Sequence, residues 1–356
     1  MSLKRFLVNI FGIFWFPIFL IKFLLDYLNL YASFLEFFDF LSIRVLYRLS
    51  KGKIIYLYRY LDRFLNIFFN RKNKNKLSIS GKTKKIVGEI NKNGFFIFKE
   101  KLIVPSKLID TYNKFQVYSD SVSIKNNKVF KYKTLDYAKK DKFRLNTRFF
   151  YYLNDLLREE SILKLIFNKN IWETAFLYLG ENFCLQSVHS WSLIPPTNYF
   201  LSLPKRFKED IFSDQAQSFH FDLDWPIFIK FFICIDDAKE KSGPFEYIPC
   251  THIKKRKDLF IDRRISKKDL RLNNNSIVFL KGKKGTFAAF DTVGFHRDGR
   301  PKNEQRTVLQ LEFASSALGN PLTRTMINKK LLTKNSMLVV NDMIDTYPRS
   351  LRAVMK

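Results

Sequence analysis

The sequence contains few cysteines, and this scarcity limits the kinds of protein that it can encode. Its three cysteines, Cys184, Cys234 and Cys250, include no CxxC pair and form no even set. A disulfide scaffold is therefore not expected, and the pattern favours reduced, mostly buried thiols in a reducing compartment. The chain also has no internal repeat and no glycine-rich phosphate-binding loop.

Acidic residues are also scarce relative to basic ones. The 33 aspartates and glutamates face 62 lysines and arginines, giving a net charge of +29. Such a charge is typical of partners of nucleic acids or anionic membranes. No recognition-helix, finger or RNP-like pattern accompanies it, and the abundance of Phe, Ile, Asn and Lys is that of an AT-rich gene. We therefore do not expect nucleic-acid binding. The hydrophobic fraction of 46% over 356 residues supports a large folded core.

The N-terminal region lacks a full membrane span. Residues 6–21 form an uncharged run that is too short to cross a bilayer comfortably, and no small-residue cleavage site follows. An amphipathic helical pattern covers 26–49, and a basic stretch then raises the net charge of residues 1–90 to +11. Two readings stay open: peripheral attachment of this region to an anionic leaflet, or a helical layer packed on the rest of the protein.

The chain is predicted to have three parts. The Asn/Lys-rich segment 70–76 resembles a linker, which separates an apolar and basic helical extension (1–76) from a main domain (77–316) and an unassigned tail (317–356). In the main domain, Ile86–Phe98 predicts a helix, a turn and a strand. Apolar periodicity predicts further helices over Val104–Phe115, Leu145–Phe167 and Ile171–Leu179.

From Phe183 onward, short apolar runs alternate with turn signals. Many short strands at this spacing favour a β-sandwich or barrel over a parallel sheet. The predicted strands are Cys184–Leu193, Phe228–Ile235, Phe245–Ile248, Ser276–Leu280, Thr286–Phe290 and Thr307–Phe313.

A pair of metal-binding side chains stands in the run Gln217–Asp222. Residues two apart in a strand point to the same face, so His220 and Asp222 project together as two ligands for a divalent metal. His296 follows 74 residues after Asp222, at the end of a strand-like run, and can supply the third ligand. Two histidines and one carboxylate leave three metal positions open, which suits Fe(II) oxygenase chemistry.

An arginine follows at a spacing that completes this set. Arg306 lies ten residues after His296 and leads a predicted strand. Its guanidinium can bind a carboxylate through two parallel hydrogen bonds, as the far end of 2-oxoglutarate requires. The HxD pair alone is a weak signal, and the four residues in this order are a stronger one.

The region from about Ile86 to Ala314 resembles the phytanoyl-CoA dioxygenase family of Fe(II)/2-oxoglutarate oxygenases. The similarity rests on the opening 89–98, the HFD motif at 220–222, the block 242–252 and the distal pair His296 and Arg306. It implies a double-stranded β-helix (jelly roll) with flanking helices, and Fe(II), 2-oxoglutarate and O₂ as reactants. The retained Asp222 favours hydroxylation over halogenation, because halogenating relatives lose this acid.

Two positions depart from the family pattern. Cys250 stands where the family usually has glycine, which can alter a turn. Asp298 stands where a small hydroxyl or neutral residue often helps to bind the co-substrate, and a carboxylate there repels 2-oxoglutarate unless it points away.

Several weaker candidates surround the main set. Gln217 and Trp225 flank the metal motif and are candidates for co-substrate contact, although Trp225 is also a packing candidate. Asp224 shares a face with Asp222 and is the alternative ligand if the register slips. His252 fits a structural role better than metal ligation, and His189 is either a core histidine or a pocket residue.

The sequence thus predicts a dioxygenase that hydroxylates a small-molecule or a lipid- or glycan-linked substrate and releases succinate and CO₂. A catalytically inactive jelly-roll binding module at a membrane surface is the alternative, and a basic membrane-bound scaffold is the third reading. The expected location is the cytoplasm, with peripheral attachment to the inner membrane face under the first reading of residues 1–76. The oligomeric state is left open.

Overall fold

A computed structural model describes residues 13–22, 36–64, 80–120, 129–255, 264–265, 270, 276–315 and 325–354, apart from 56, 59, 62–63, 226, 328–329, 331, 348–349 and 352–353. The N-terminal segment 13–22 is helical. The further helices are α1 (Glu36–Leu49), α2 (Gly81–Asn93), α3 (Ser106–Tyr112), α4 (Leu135–Lys140), α5 (Leu153–Leu156), α6 (Glu160–Ile166), α7 (Lys169–Leu179), α8 (Asn198–Ser202), α9 (Lys205–Asp214) and α10 (Lys334–Thr346).

The described strands form a large and a small antiparallel sheet. The large sheet has eight strands in the order β1-β9-β6-β11-β5-β4-β2-β3, and the small sheet has three in the order β10-β7-β8. The strands are β1 (Phe95–Ile97), β2 (Val117–Asp120), β3 (Val129–Tyr132), β4 (Arg148–Tyr151), β5 (Cys184–Leu193), β6 (Phe228–Cys234), β7 (Phe245–Tyr247), β8 (Val278–Leu280), β9 (Phe287–Phe290), β10 (His296–Arg297) and β11 (Arg306–Ala314).

Alternation along the central strands gives the large sheet two different faces. On β11, Leu309, Leu311 and Phe313 belong to a core cluster that also contains buried residues of the helices α6 and α7. The alternate residue Val308 packs instead in a cluster with Phe245 of the small sheet. One face is thus covered by helices and the other by the small sheet, as expected from a strand period of two.

The N-terminal helices pack directly on the main domain. The ring of Phe19 lies 5.5 Å from that of Trp225, and the ring of Tyr47 lies 5.5 Å from that of Phe221. All four side chains are buried in one cluster. These contacts support the reading of this region as a packed helical layer.

Within the described ranges, no helix has the length and apolarity needed to cross a bilayer. The segment 13–22 does expose apolar side chains on the face away from Phe19, namely Ile13, Phe14, Ile18 and Ile21. Peripheral attachment to an anionic membrane stays a prediction.

The prediction of short strands is confirmed for all six runs, with ends that differ by two residues or fewer. The large antiparallel sheet with flanking helices is therefore confirmed, while closure into a jelly roll stays a prediction. The predicted helix Leu145–Phe167 is wrong over its first part, because Arg148–Tyr151 forms β4 and pairs with both β5 and β2. Pairing with two neighbours outweighs the helical periodicity there.

The predicted linker, domain boundaries and C-terminal tail have different outcomes. The linker 70–76 and the two domain boundaries, after 76 and after 316, lie outside the described residues. The unassigned tail contains α10, and Leu351 and Val354 beyond it are buried in the main core. The strands β2, β3 and β10 and the helices α4, α8 and α9 were not predicted.

A tight turn joins α2 to β1 beneath the block 242–252. Gly94 ends α2 with φ of 85°, and a Cβ at this position would lie 2.1 Å from the Tyr247 hydroxyl oxygen. Only glycine fits such a site without displacing its neighbour. Cys250 donates its backbone N–H to the Asn93 carbonyl at 2.9 Å and adopts φ of 64°. Cysteine therefore keeps the left-handed turn where glycine is usual in the resembled family, and unlike Cys184 and Cys234 it is exposed.

Candidate metal centre

Two distant stretches of backbone meet at the predicted ligands. His220 and His296 form an isolated antiparallel bridge, with N–O distances of 3.0 and 2.8 Å in the two directions. Asp222 is fixed to the same second stretch, because its N–H donates to the Thr292 carbonyl at 2.8 Å. The backbone thus brings the first two ligands beside the third.

The side chains of these residues converge on one point. His220 Nε2 lies 3.8 Å from Asp222 Oδ1, and His296 Nε2 lies 3.2 Å from Asp222 Oδ2. One ligand atom from each residue lies within 4.8 Å of the others, the spacing expected around a single ion. Among the described residues, this is the group of three that can hold a metal.

Hydrogen bonds fix the orientation of both imidazoles. The Nδ1 atom of His220 lies 2.9 Å from the Ser218 carbonyl, and that of His296 lies 3.0 Å from the Gly294 carbonyl. A carbonyl can only accept, so each Nδ1 carries the proton and each Nε2 presents its lone pair. Second-sphere bonds of this kind are those that orient metal-binding histidines, so the donor set fits a divalent cation.

The protonation states also fit metal binding. Burial, together with the neighbouring His296, lowers the pKa of His220 well below its usual value. Burial alone would raise the pKa of Asp222, but the Lys230 ammonium and His296 hold it well below its ordinary range. At neutral pH the site therefore contains a neutral imidazole and a carboxylate, as ligation requires.

A buried lysine that sequence reasoning missed lies next to the candidate ligand Asp222. Lys230 Nζ lies 2.9 Å from Asp222, 2.7 Å from Asp224 and 3.3 Å from Glu312. Burial would lower the pKa of Lys230, but these carboxylates raise it well above its usual value. Asp224 therefore serves as a partner of the lysine and is not part of the metal-binding group. Burial, opposed by the Lys230 ammonium, raises the pKa of Glu312 to about 8.

Arg306 is buried and already paired with another residue of the chain. Its Nη2 donates to Asp298 Oδ1 at 2.7 Å and its Nε donates to the Gly243 carbonyl at 3.0 Å. Asp298 therefore points toward the arginine that was predicted to bind the co-substrate. Binding of 2-oxoglutarate by Arg306 stays a prediction.

A cavity of about 280 Å³ opens beside the triad. The three ligands line it, and His189 faces it from β5. Gln217 and Trp225 do not line it: Gln217 donates to Thr147 Oγ1 at 2.6 Å, and Trp225 packs on Phe19. The other lining residues are Arg148, Phe150, Trp191, Ala216, Asp224, Lys230, Phe232, Phe245, Asp298, Gln310 and Glu312.

His252 lies apart from the metal group. Its Nε2 lies 3.0 Å from the Asn91 carbonyl at the end of α2, and it does not line the cavity. The structural role predicted for it agrees with this position.

The residues that sequence reasoning missed do have a weak signal in the chain. Lys230 interrupts the apolar strand Phe228–Cys234, and Gln310 and Glu312 interrupt the strand Arg306–Ala314. Polar residues within buried strands are costly unless they are paired, so such interruptions often mark an internal site.

Comparison with known proteins gives only distant similarities. No protein-family model and no curated protein sequence matches the chain. The solved structure of the non-heme alpha ketoglutarate dependent epimerase SnoN from nogalamycin biosynthesis is 9% identical, covering 65% of this chain and 82% of that chain with a TM-score of 0.41. AviO1 from Streptomyces viridochromogenes Tue57 is 12% identical over 67% and 96% of the two chains, with a TM-score of 0.39. EctD from S. alaskensis with bound Fe is 13% identical over 68% and 78%, with a TM-score of 0.40. These likenesses are too low to establish a shared fold or activity.

Proposed function

We propose that the protein is an Fe(II)- and 2-oxoglutarate-dependent dioxygenase that hydroxylates an organic substrate. The observation that supports the proposal best is the convergence of His220, Asp222 and His296, with both Nε2 lone pairs directed at one point beside a cavity. Two histidines and one carboxylate on one side of a metal are the ligand set of non-haem Fe(II) oxygenases. The family resemblance of region 86–314 and its jelly-roll closure belong to the same proposal.

Each residue around the cavity would have a distinct role in the proposed reaction. Iron held by the three ligands supplies the activation of O₂ and the oxidative decarboxylation of the 2-oxo acid to succinate and CO₂. His220 and His296 bind through Nε2 because their Nδ1 protons are held by backbone carbonyls. Lys230 keeps Asp222 ionised and fixes its orientation, while the apolar rings of Phe232 and Phe245 line the cavity and limit the access of water. The substrate class is left open as a small molecule or a lipid- or glycan-linked compound.

Succinate formation from 2-oxoglutarate tests this proposal. With added Fe(II) and O₂, the wild-type protein is expected to form succinate, and His220→Ala is expected to lose at least about 100-fold of this turnover, since even a second-sphere change costs about 10–100-fold. His252→Ala is the matched control, because His252 lies outside both the triad and the cavity. Equal turnover in wild type and His220→Ala would rule the proposal out.

The alternative is a binding module that retains the fold and lacks the reaction. The intact donor set favours the enzyme, because a binding module has no need of two oriented imidazoles and an ionised carboxylate. Iron content after anaerobic reconstitution separates the two: the enzyme is expected to bind one Fe(II) per chain, and the module none.

A further inference from the structure

Three charged side chains meet at Asp298, and two of them, Arg148 and Asp298, line the cavity. Asp298 Oδ1 accepts from Arg306 Nη2 at 2.7 Å, and Asp298 Oδ2 accepts from the Trp191 indole N–H at 3.1 Å. The same Oδ2 lies 3.8 Å from Arg148 Nε. Both guanidiniums thus lie beside the same carboxylate.

The two arginines are placed very differently. The Arg306 side chain is 1% exposed, does not line the cavity, and donates to both Asp298 and the Gly243 carbonyl. Its Nη1 is buried and makes no hydrogen bond within the described residues. Arg148 lines the cavity, and its side chain is 16% exposed.

Aromatic rings hold the Arg148 guanidinium in place. Its Cζ lies 4.3 Å from the centre of the Trp191 ring and 4.6 Å from that of Phe150. An arginine stacked in this way loses little further conformational freedom when it binds a carboxylate, and its planar fork matches the two oxygens. The side chain is therefore prepared for an anion that enters the cavity.

Resting on the proposed function, we propose that Arg148, and not Arg306, binds the distal carboxylate of the 2-oxo acid. Asp298 then acts as a positioning residue, because it holds Arg306 inside the protein in the place where an external carboxylate would otherwise bind. The proposal rests on two observations. Arg148 lines the cavity, and the neighbouring Arg306 is already hydrogen-bonded to Asp298.

The charges around Asp298 favour Arg148 as the residue that binds the distal carboxylate. A dicarboxylate in this cavity places a second negative charge near Asp298, and two carboxylates a few ångströms apart repel strongly at low dielectric. Arg148 lies at the cavity surface and can offset that charge. Arg306 already donates from Nη2 to Asp298 and from Nε to the Gly243 carbonyl, so a bidentate contact of Arg306 with the ligand would compete with the buried Asp298 pair.

Anaerobic titration of the Fe(II)-loaded protein with two 2-oxo acids tests the proposal without turnover. The probes are 2-oxoglutarate and 2-oxopentanoate, which has the same chain without the distal carboxylate, and binding is followed by the absorption of the iron–2-oxo acid chelate. Wild type is expected to prefer 2-oxoglutarate. Arg148→Met, which retains the length and apolar stem, is expected to weaken 2-oxoglutarate binding about 100-fold, the value of a bidentate charged contact, and to leave 2-oxopentanoate unchanged.

Two further variants make the test specific. Arg300→Met is the matched control, because Arg300 also stacks on a ring and forms a bidentate pair, with Phe212 and Glu209, but does not line the cavity. It is expected to bind both acids as wild type does. The double variant Arg148→Met/Asp298→Ser is expected to recover at least about tenfold of the lost 2-oxoglutarate affinity. Loss of the Asp298 carboxylate leaves the Arg306 guanidinium able to bind the distal carboxylate of the ligand.

The outcomes are distinguishable. If Arg148→Met keeps the wild-type preference for 2-oxoglutarate, or if the wild type has no preference, Arg148 does not bind the distal carboxylate. The Arg148 proposal is then overturned, while the dioxygenase proposal stands. If neither acid forms a chelate with the iron-loaded wild type, the proposed function itself fails. Should Arg148→Met not fold, Arg148→Lys retains the charge without the fork, and an unchanged preference in that variant overturns a bidentate Arg148 contact.

Discussion

Replacing His296 with alanine is expected to abolish tight Fe(II) binding, with a loss of affinity of at least about 100-fold. Loss of a second-sphere partner alone costs about 10–100-fold, and this change removes a direct ligand. His296 also bridges the backbone of His220, but its N–H and carbonyl are retained by alanine, so the fold of the site is expected to persist. Anaerobic Fe(II) titration by calorimetry measures the effect.

A pair of aspartates on one face supplies the matched control. Asp222→Asn removes a ligand, whereas Asp224→Asn changes a residue that lies in the cavity, bonds to Lys230 and stands outside the metal group. We expect the first variant to lose Fe(II) binding and the second to keep one Fe(II) per chain. If Asp224→Asn were the variant that loses the metal, the assignment of Asp222 as the carboxylate ligand would be wrong.

Replacing Phe19 with alanine is expected to lower the free energy of unfolding by about 3–5 kcal/mol, the usual cost of removing a buried phenylalanine. Its ring is 0% exposed and packs edge-on against Trp225 and Tyr58. Trp225 lies three residues after the candidate ligand Asp222, so the N-terminal layer packs against the stretch of chain that carries this carboxylate. Denaturant unfolding of the full chain measures the loss.

Phe14 offers the control within the same helical segment. It is 76% exposed, and Phe14→Ala is expected to change stability by no more than about 0.5 kcal/mol.

A chain of residues 77–356 is expected to aggregate or unfold, since deletion of the layer uncovers Phe221 and Trp225. Equal stability of the two alanine variants, or a fragment as stable as the full chain, would show that the layer does not support the site.

Much of the site could be predicted from the sequence because its chemistry depends on short local patterns. A strand period of two predicts that His220 and Asp222 project together, and His296 at the end of a later strand-like run completes the group that the structure brings together. The strands Cys184–Leu193 and Phe228–Cys234 were also predicted, because both are short segments with recurrent apolar residues that stand between turn signals.

The remaining features depend on long-range contacts that no local pattern encodes. The strand Arg148–Tyr151 looks helical in isolation and becomes a strand because β5 and β2 pair with it. That pairing places Arg148 in the cavity. Likewise, the repulsion between Asp298 and a co-substrate was foreseeable, but its pairing with Arg306 required both side chains to be placed.

An anaerobic crystal structure of the Fe(II)-loaded protein tests the central claim most directly. The expected result is one iron per chain, bonded to the Nε2 atoms of His220 and His296 and to the carboxylate of Asp222. Iron bound elsewhere, or a His296 side chain directed away from the other two ligands with the protein fully loaded, would contradict the account.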